Sequence, residues 1–103
     1  MYTDKVSLIR VIPYERKETL EKAATAELYG NKLLLRGEER ELTLSFDEIS
    51  ALTVLGKNKV NIYIDKEIYQ LKGDERFNAL KYVHIYHRYR NIKEAKDGKF
   101  LGI

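Results

Sequence analysis

A mainly β domain closed by one C-terminal α-helix is the fold class that this 103-residue sequence predicts, and three observations carry it. Seven short apolar runs alternate with polar turns between about residue 6 and residue 72. The links between them are too short for parallel crossovers, which need a dozen or more residues, so the strands form an antiparallel meander. At Gly73 the apolar period changes from two to between three and four, as on a helix.

The elements follow in order. Val6 to Ile12 is β-branched and apolar, and Pro13, which has no N–H to donate, interrupts the ladder. The charged stretch Tyr14 to Ala23 reads equally as a hairpin arm, a loop or one helical turn. Ala26 and Leu28 lead into Gly30-Asn31, a pair that readily takes positive φ in a tight turn, and Lys32 to Arg36 returns. After Gly37-Glu38-Glu39, Leu42, Leu44 and Phe46 alternate with Glu41, Thr43 and Ser45, one face buried and one wet. Ile49 to Leu55, Val60 to Ile64 and Glu67 to Lys72 complete seven strands, separated by Gly56-Lys57-Asn58-Lys59 and Asp65-Lys66.

Asp74 is a candidate N-cap, so a helix is expected over about 74–92, with a tail over 93–103. Phe77, Leu80, Val83 and His84 or His87 recur at helical spacing and define the stripe expected to cover an open end of the sheet. Tyr82, Ile85, Tyr86 and Tyr89 fall mostly on another face and are candidates for a protein interface, since tyrosine joins a large apolar body to a polar tip. A helix apolar over so much of its circumference points to a missing partner. In the tail, Gly98 and Gly102 break the helix, and Phe100, Leu101 and Ile103 can anchor it to the domain. This element order is that of a pleckstrin-homology-like (PH-like) seven-stranded antiparallel barrel capped by a helix, residues 1–103 forming one domain. A β-sandwich with a packed helix gives the same string.

Composition bounds the function. With 44% apolar and 34% charged residues the chain closes one core and keeps an ionic surface. No apolar run reaches the roughly 18 residues of a membrane span, and the N-terminus lacks the apolar segment of a signal peptide. The absence of cysteine removes disulfides, thiol catalysis and cysteine-held metals, and fits a cytoplasmic setting. Charge is uneven: residues 1 to 56 hold 8 Lys/Arg against 10 Asp/Glu, and residues 57 to 103 hold 11 against 6. The cations concentrate at Lys57 and Lys59 and in the run His84 to Lys93, where they interleave with aromatics. One reading is an anionic partner, nucleic acid or lipid headgroups; the other is the solvated side of a helix. Nucleic acid is the weaker partner, because a net charge of +3 is small and no sheet-borne aromatic ladder is evident.

Reactive groups are sparse. His84 and His87 stand three apart on one helix, but their neighbours Lys81, Arg88 and Arg90 repel cations, so no metal and no cofactor is expected. Leu55-Gly56-Lys57-Asn58-Lys59 lies between two strands, not before a helix as a phosphate loop must. Asp47-Glu48 and Glu38-Glu39 read as solvated turns without an acid–base partner, and Ser7, Ser45 and Ser50 lack a nucleophile's setting.

Phe46 to Tyr63 (FDEISALTVLGKNKVNIY), Tyr69 to Val83 (YQLKGDERFNALKYV) and the closing DGKFLGI of 97–103 resemble the C-terminal region of clostridial lysophospholipid acyltransferases of the 1-acylglycerol-3-phosphate acyltransferase family. The resemblance runs over about residues 6–103. That family's catalytic signature is a His followed five residues later by an Asp; here Tyr89 stands five after His84 and Ile92 five after His87. The resemblance therefore implies an appended noncatalytic domain, with phospholipid acyl transfer carried by a preceding catalytic domain at the inner face of the membrane. The expected role is docking on that catalytic domain or on an anionic membrane surface. Lys57, Lys59, Arg88, Arg90 and Lys93 are expected to contact lipid or phosphate, and Tyr82, Ile85, Tyr86 and Tyr89 a protein. The alternative is a self-associating module, a homodimer through the tyrosine face.

Overall fold

The computed structural model describes residues 1–96, the side chain of Lys96 excepted. The expectation for Gly98, Phe100, Leu101, Gly102 and Ile103 lies outside the described residues. Seven strands precede one helix: β1 Tyr2–Ile12, β2 Arg16–Leu28, β3 Lys32–Arg36, β4 Glu41–Ser45, β5 Ile49–Leu55, β6 Lys59–Ile64, β7 Glu67–Lys72 and α1 Ala79–Lys96. All pairs are antiparallel, in a single sheet ordered β4-β3-β2-β1-β7-β6-β5. One curled sheet therefore replaces the two layers of a sandwich, and β1, bonded on both edges, joins its halves.

The undecided stretch Tyr14 to Ala23 is mostly strand. The ladder resumes beyond Pro13 at Ile12 opposite Arg16, closed by the Glu15 N–H donating to the Ile12 carbonyl, with Tyr14 at φ 64° in the turn. The β2–β3 turn falls where expected, but neither Gly30 nor Asn31 takes positive φ. It closes instead through the Tyr29 N–H to Lys32 O (2.9 Å) and the Phe46 N–H to Asn31 O (3.0 Å).

Register irregularities shape the barrel. β1–β2 pairing shifts twice, at Val6/Leu8 and Leu8/Ile9, each shift placing an extra residue on β2, and such bulges raise local bend and twist. An extra residue in β5 near Ser50 changes the phase of that strand. Ile49 and Leu52, three apart, can therefore both face inward, opposite Ile64 and Ile62. The core gathers Val6, Leu8, Leu28, Leu33, Leu35, Phe46, Val60, Ile62 and Leu71 from five strands and the β4–β5 turn.

Beyond the end of the β2–β3 ladder, the buried Glu21 clamps the β3–β4 turn. Its carboxylate accepts the N–H groups of Glu38 (2.8 Å) and Glu39 (3.3 Å) and pairs with Arg40 Nε at 3.2 Å. Gly37 leaves room for it, since a Cβ there would lie 2.3 Å from the Glu21 side chain.

The helix departs from expectation in start, length and face. Asp74 Oδ1 accepts the Arg76 N–H (2.8 Å) and Asp74 O the Phe77 N–H (3.1 Å), so Asp74 caps a turn and not the helix. That turn carries the buried Phe77 back against Gly73, where a Cβ would stand 2.2 Å from Phe77 Cβ. The helix begins after Asn78 and runs to Lys96, so residues 93–96 are helix and not tail.

Its core face is Ala79, Tyr82 and Tyr86, flanked by Val83, Ile85 and Tyr89, whereas Leu80 is 55% exposed and His84 and His87 are exposed. Tyr82 and Tyr86, expected at a protein interface, are inside the domain at 0% and 3% exposure. The reason is chemical: ring bodies fill the open barrel end while hydroxyls reach polar partners at its rim. Tyr82 Oη donates to Asp4 Oδ2 (2.7 Å), Tyr86 Oη to Ile49 O (2.6 Å) and Tyr89 Oη to Asp47 Oδ1 (2.7 Å). Phe46 meets the edges of Tyr86 and Tyr89 with ring centroids 5.5 and 5.7 Å apart. The helix is thus clasped by its own sheet, and its tyrosines no longer call for a missing partner.

Two predictions follow from these contacts. Glu21→Ala leaves two turn amides without their acceptor and Arg40 with Glu39 alone, and should lower the unfolding free energy by about 2 kcal/mol in urea titrations. Glu18→Ala, at an exposed position of the same strand, should change it little. Tyr82→Phe and Tyr86→Phe should each cost about 1 kcal/mol for a lost buried hydrogen bond, and Leu80→Ala less than about 0.5 kcal/mol. A larger cost at Leu80 would restore the face read from hydropathy.

Candidate anion-binding face

The five cations expected at an anion site do not meet. The backbone O of Lys57, in the β5–β6 turn, accepts the N–H of Ala79, the first residue of the helix (3.4 Å). Lys93 lies 14 residues further on, about 21 Å at 1.5 Å rise per residue. Lys93 Nζ donates to Asp47 Oδ1 (2.7 Å), and the Arg90 guanidinium sits 5.9 Å from the centroid of the Tyr86 ring. Arg88 borders an apolar groove of about 460 Å³ formed with Tyr2, Leu28, Ile85, Tyr89 and Ile92. Of the four residues expected at a protein interface, only Ile85 and Tyr89 reach this surface, both half-buried.

Another cation cluster forms where β6, β7, β1 and β2 lie side by side. Val6, Leu8, Val60 and Leu71 belong to the core, so their strand neighbours Lys5, Ser7, Lys59 and Lys72 stand on the outer face. Lys72 is directly opposite Lys59 on one side and Ser7 on the other. Ser7 Oγ donates to the Lys22 carbonyl (2.8 Å), bringing in the bulged segment of β2, and Lys5 pairs in register with Thr25. Lys5, Lys22 and Lys72 line a cleft of about 540 Å³ whose floor and rim include Ala23, Thr25, Gly73 and Asp74. Among the described residues none of these four lysines has an ion-pair partner, whereas Arg10, Arg36, Arg40, Lys81 and Lys93 each have one. Like charges directly opposite on a sheet are destabilising, so the Lys59–Lys72 pair works against the fold.

Only Lys59 of this face was expected at an anion site. Lys5, Lys22 and Lys72 are scattered along the chain. Lys72 carries outward parity in its strand, whereas Lys5 precedes the expected first strand and Lys22 lies in the undecided stretch, so their location emerges only when the register is known.

The remaining titratable contacts are structural. Hydrogen bonds from Lys93 and Tyr89 hold the Asp47 carboxyl below the ordinary carboxylate range, and the Asp47 bond in turn pushes the Tyr89 phenol up. Burial and the bond to Asp4 push the Tyr82 phenol up further. Among the described residues no three His, Asp or Glu side chains gather as a metal ion would need, and no helix is long and apolar enough to cross a membrane.

With this architecture the fold class is PH-like: seven antiparallel strands in a curled half-barrel closed by one C-terminal helix. It is similar to the solution structure of the N-terminal PH domain of human ARAP2, with a TM-score of 0.63 over 88% of this chain and 81% of that one, at 13% sequence identity. At that identity the likeness concerns the fold. The sequence matches no protein-family model and no curated protein.

The Asp47 clasp has a defined pH signature. Its folded-state pKa lies below the unfolded value, so its stabilisation is fully present above the ordinary carboxylate range and is lost as pH falls through the depressed value. Asp47→Asn should therefore flatten the acid limb of stability against pH, read as melting temperature between pH 7 and pH 2. An unchanged acid limb would remove Asp47 from the account.

Proposed function

We propose that this chain is a noncatalytic PH-like accessory domain that docks on an anionic membrane surface through its outer-face lysines. The observation that carries the reading is the unpaired Lys59–Lys72 opposition flanked by Lys5 and Lys22. A sheet that keeps four unneutralised ammonium groups together gives up stability and gains attraction for anions, at about 1 kcal/mol per lysine near an anionic bilayer. Lys57, in the adjoining turn, stands apart from this face and lines a separate pocket with Glu75, Arg76 and Leu80. Arg88, Arg90 and Lys93, at the far end of the helix, also stand outside the face. The sequence resemblance supplies the setting: a preceding lysophospholipid acyltransferase domain, which this module would hold at the bilayer where its substrates lie.

Sedimentation with phosphatidylglycerol-containing vesicles against neutral phosphatidylcholine vesicles tests this at low and physiological salt. Binding should require the anionic lipid and weaken with salt. Replacing Lys5, Lys22, Lys59 and Lys72 together by Ala should weaken it by about two orders of magnitude or more, and replacing Arg88 and Arg90 should change it little. Lys59→Glu should separate the two costs: weaker vesicle binding, with stability raised by about 0.2–1 kcal/mol as the cross-strand repulsion becomes an attraction. Full binding by the lysine variant would sink the proposal.

A further inference from the structure

We propose that the cleft between the β2 bulge and Gly73 is a discrete site for a phosphate monoester, rather than merely the most basic part of a charged surface. This rests on the anionic-surface reading above and deepens it. Three features of the cleft lead there. Its lysines come from three different strands, Lys5 on β1, Lys22 on β2 and Lys72 on β7, and all three line the same cleft. A monoester offers three terminal oxygens, one for each, whereas a diester offers two.

Three lysines against one carboxylate line the cleft, more positive charge than a monoanion can neutralise, and Lys59 stands directly opposite Lys72 in the ladder. A dianion relieves that opposition more fully. Finally, the cleft carries a neutral donor. Thr25 stands beside Lys5 in register, and its hydroxyl makes no hydrogen bond among the described residues. The Ser7 hydroxyl is already donated to the Lys22 carbonyl and fixes the bulge that sets the cleft's shape. Asp74 is the one carboxylate of the lining; its Oδ1 accepts the Arg76 N–H, and it limits the end at which an anion can sit. The site is far from the β1–β2 turn at Pro13, since Ser7 and Lys72 lie at the opposite end of the β1–β7 ladder from Arg10 and Tyr69.

A lipid headgroup and a soluble phosphate ester share this chemistry, and two arms separate them. In the first, methyl phosphate and dimethyl phosphate are titrated into the ¹⁵N-labelled chain. Methyl phosphate should shift the amides of Lys5, Thr25, Lys72 and Gly73, and dimethyl phosphate at the same concentration should not. In the second, vesicles containing phosphatidic acid or phosphatidylglycerol are matched for surface charge. Phosphatidic acid should bind about tenfold more tightly, the scale of one added charge-assisted contact. Thr25→Val, which alters no charge, should reduce that preference while phosphatidylglycerol binding stays unchanged. A methyl phosphate response without a vesicle preference supports the site with a soluble ligand. Equal response to both esters together with equal vesicle binding overturns the monoester site and leaves the surface reading standing. Loss of binding to every anionic vesicle overturns the surface reading instead.

Discussion

Everything in this domain hangs on β1 being hydrogen-bonded along both edges. β2 to β4 form one antiparallel run and β5 to β7 another, and only the insertion of β1 between β2 and β7 makes them one sheet. A strand in that position cannot be flat, because the sheet on either side must curl around a common core. The two extra residues of β2 opposite Val6 to Ile9 supply the bend. The same bulge turns Lys22 toward Lys5 and Lys72, so the device that curls the sheet also shapes the cationic cleft.

A half-barrel leaves one end open, and the closing helix meets a mixed surface there: aromatic and aliphatic core in the middle, backbone carbonyls and carboxylates around the rim. Leucine would satisfy the middle and strand the rim. Tyr82, Tyr86 and Tyr89 satisfy both, each ring entering the apolar region and each hydroxyl ending on Asp4, Ile49 or Asp47. Lys81 and Lys93 add ammonium contacts to the same two carboxylates, so the helix is fastened at both ends by the sheet elements it covers. A helix fixed in this way acts as a structural lid, and its outward face carries Leu80, His84, His87 and Asn91.

Two groups stand out among the cations of the surface. Arg10, Arg36, Arg40, Lys81 and Lys93 are tied to carboxylates and their charge is spent locally. Lys5, Lys22, Lys59 and Lys72 are not, and they share one face. Net charge conceals this, because a modest excess of +3 is compatible with a strongly positive patch once the acids are engaged elsewhere.

Strand positions and antiparallel pairing were readable from local pattern, since side-chain alternation and turn residues act over a few residues: Ile49–Leu55 and Glu67–Lys72 fall where the pattern puts them. The helix was readable as a helix, but its buried face was not. Hydropathy ranks Leu80 above Tyr82, and only a barrel rim with acceptors in reach reverses that order. The start at Ala79 was hidden for a related reason, because burying Phe77 against Gly73 takes the turn that Asp74 seemed to cap for the helix. The cationic face was illegible in the chain, where Lys5, Lys22, Lys59 and Lys72 are up to 67 positions apart. Parity puts Lys59 and Lys72 on an outer surface but says nothing of Lys22 in its bulge, and pairing in three dimensions, set by β1 and that bulge, is what makes the four neighbours.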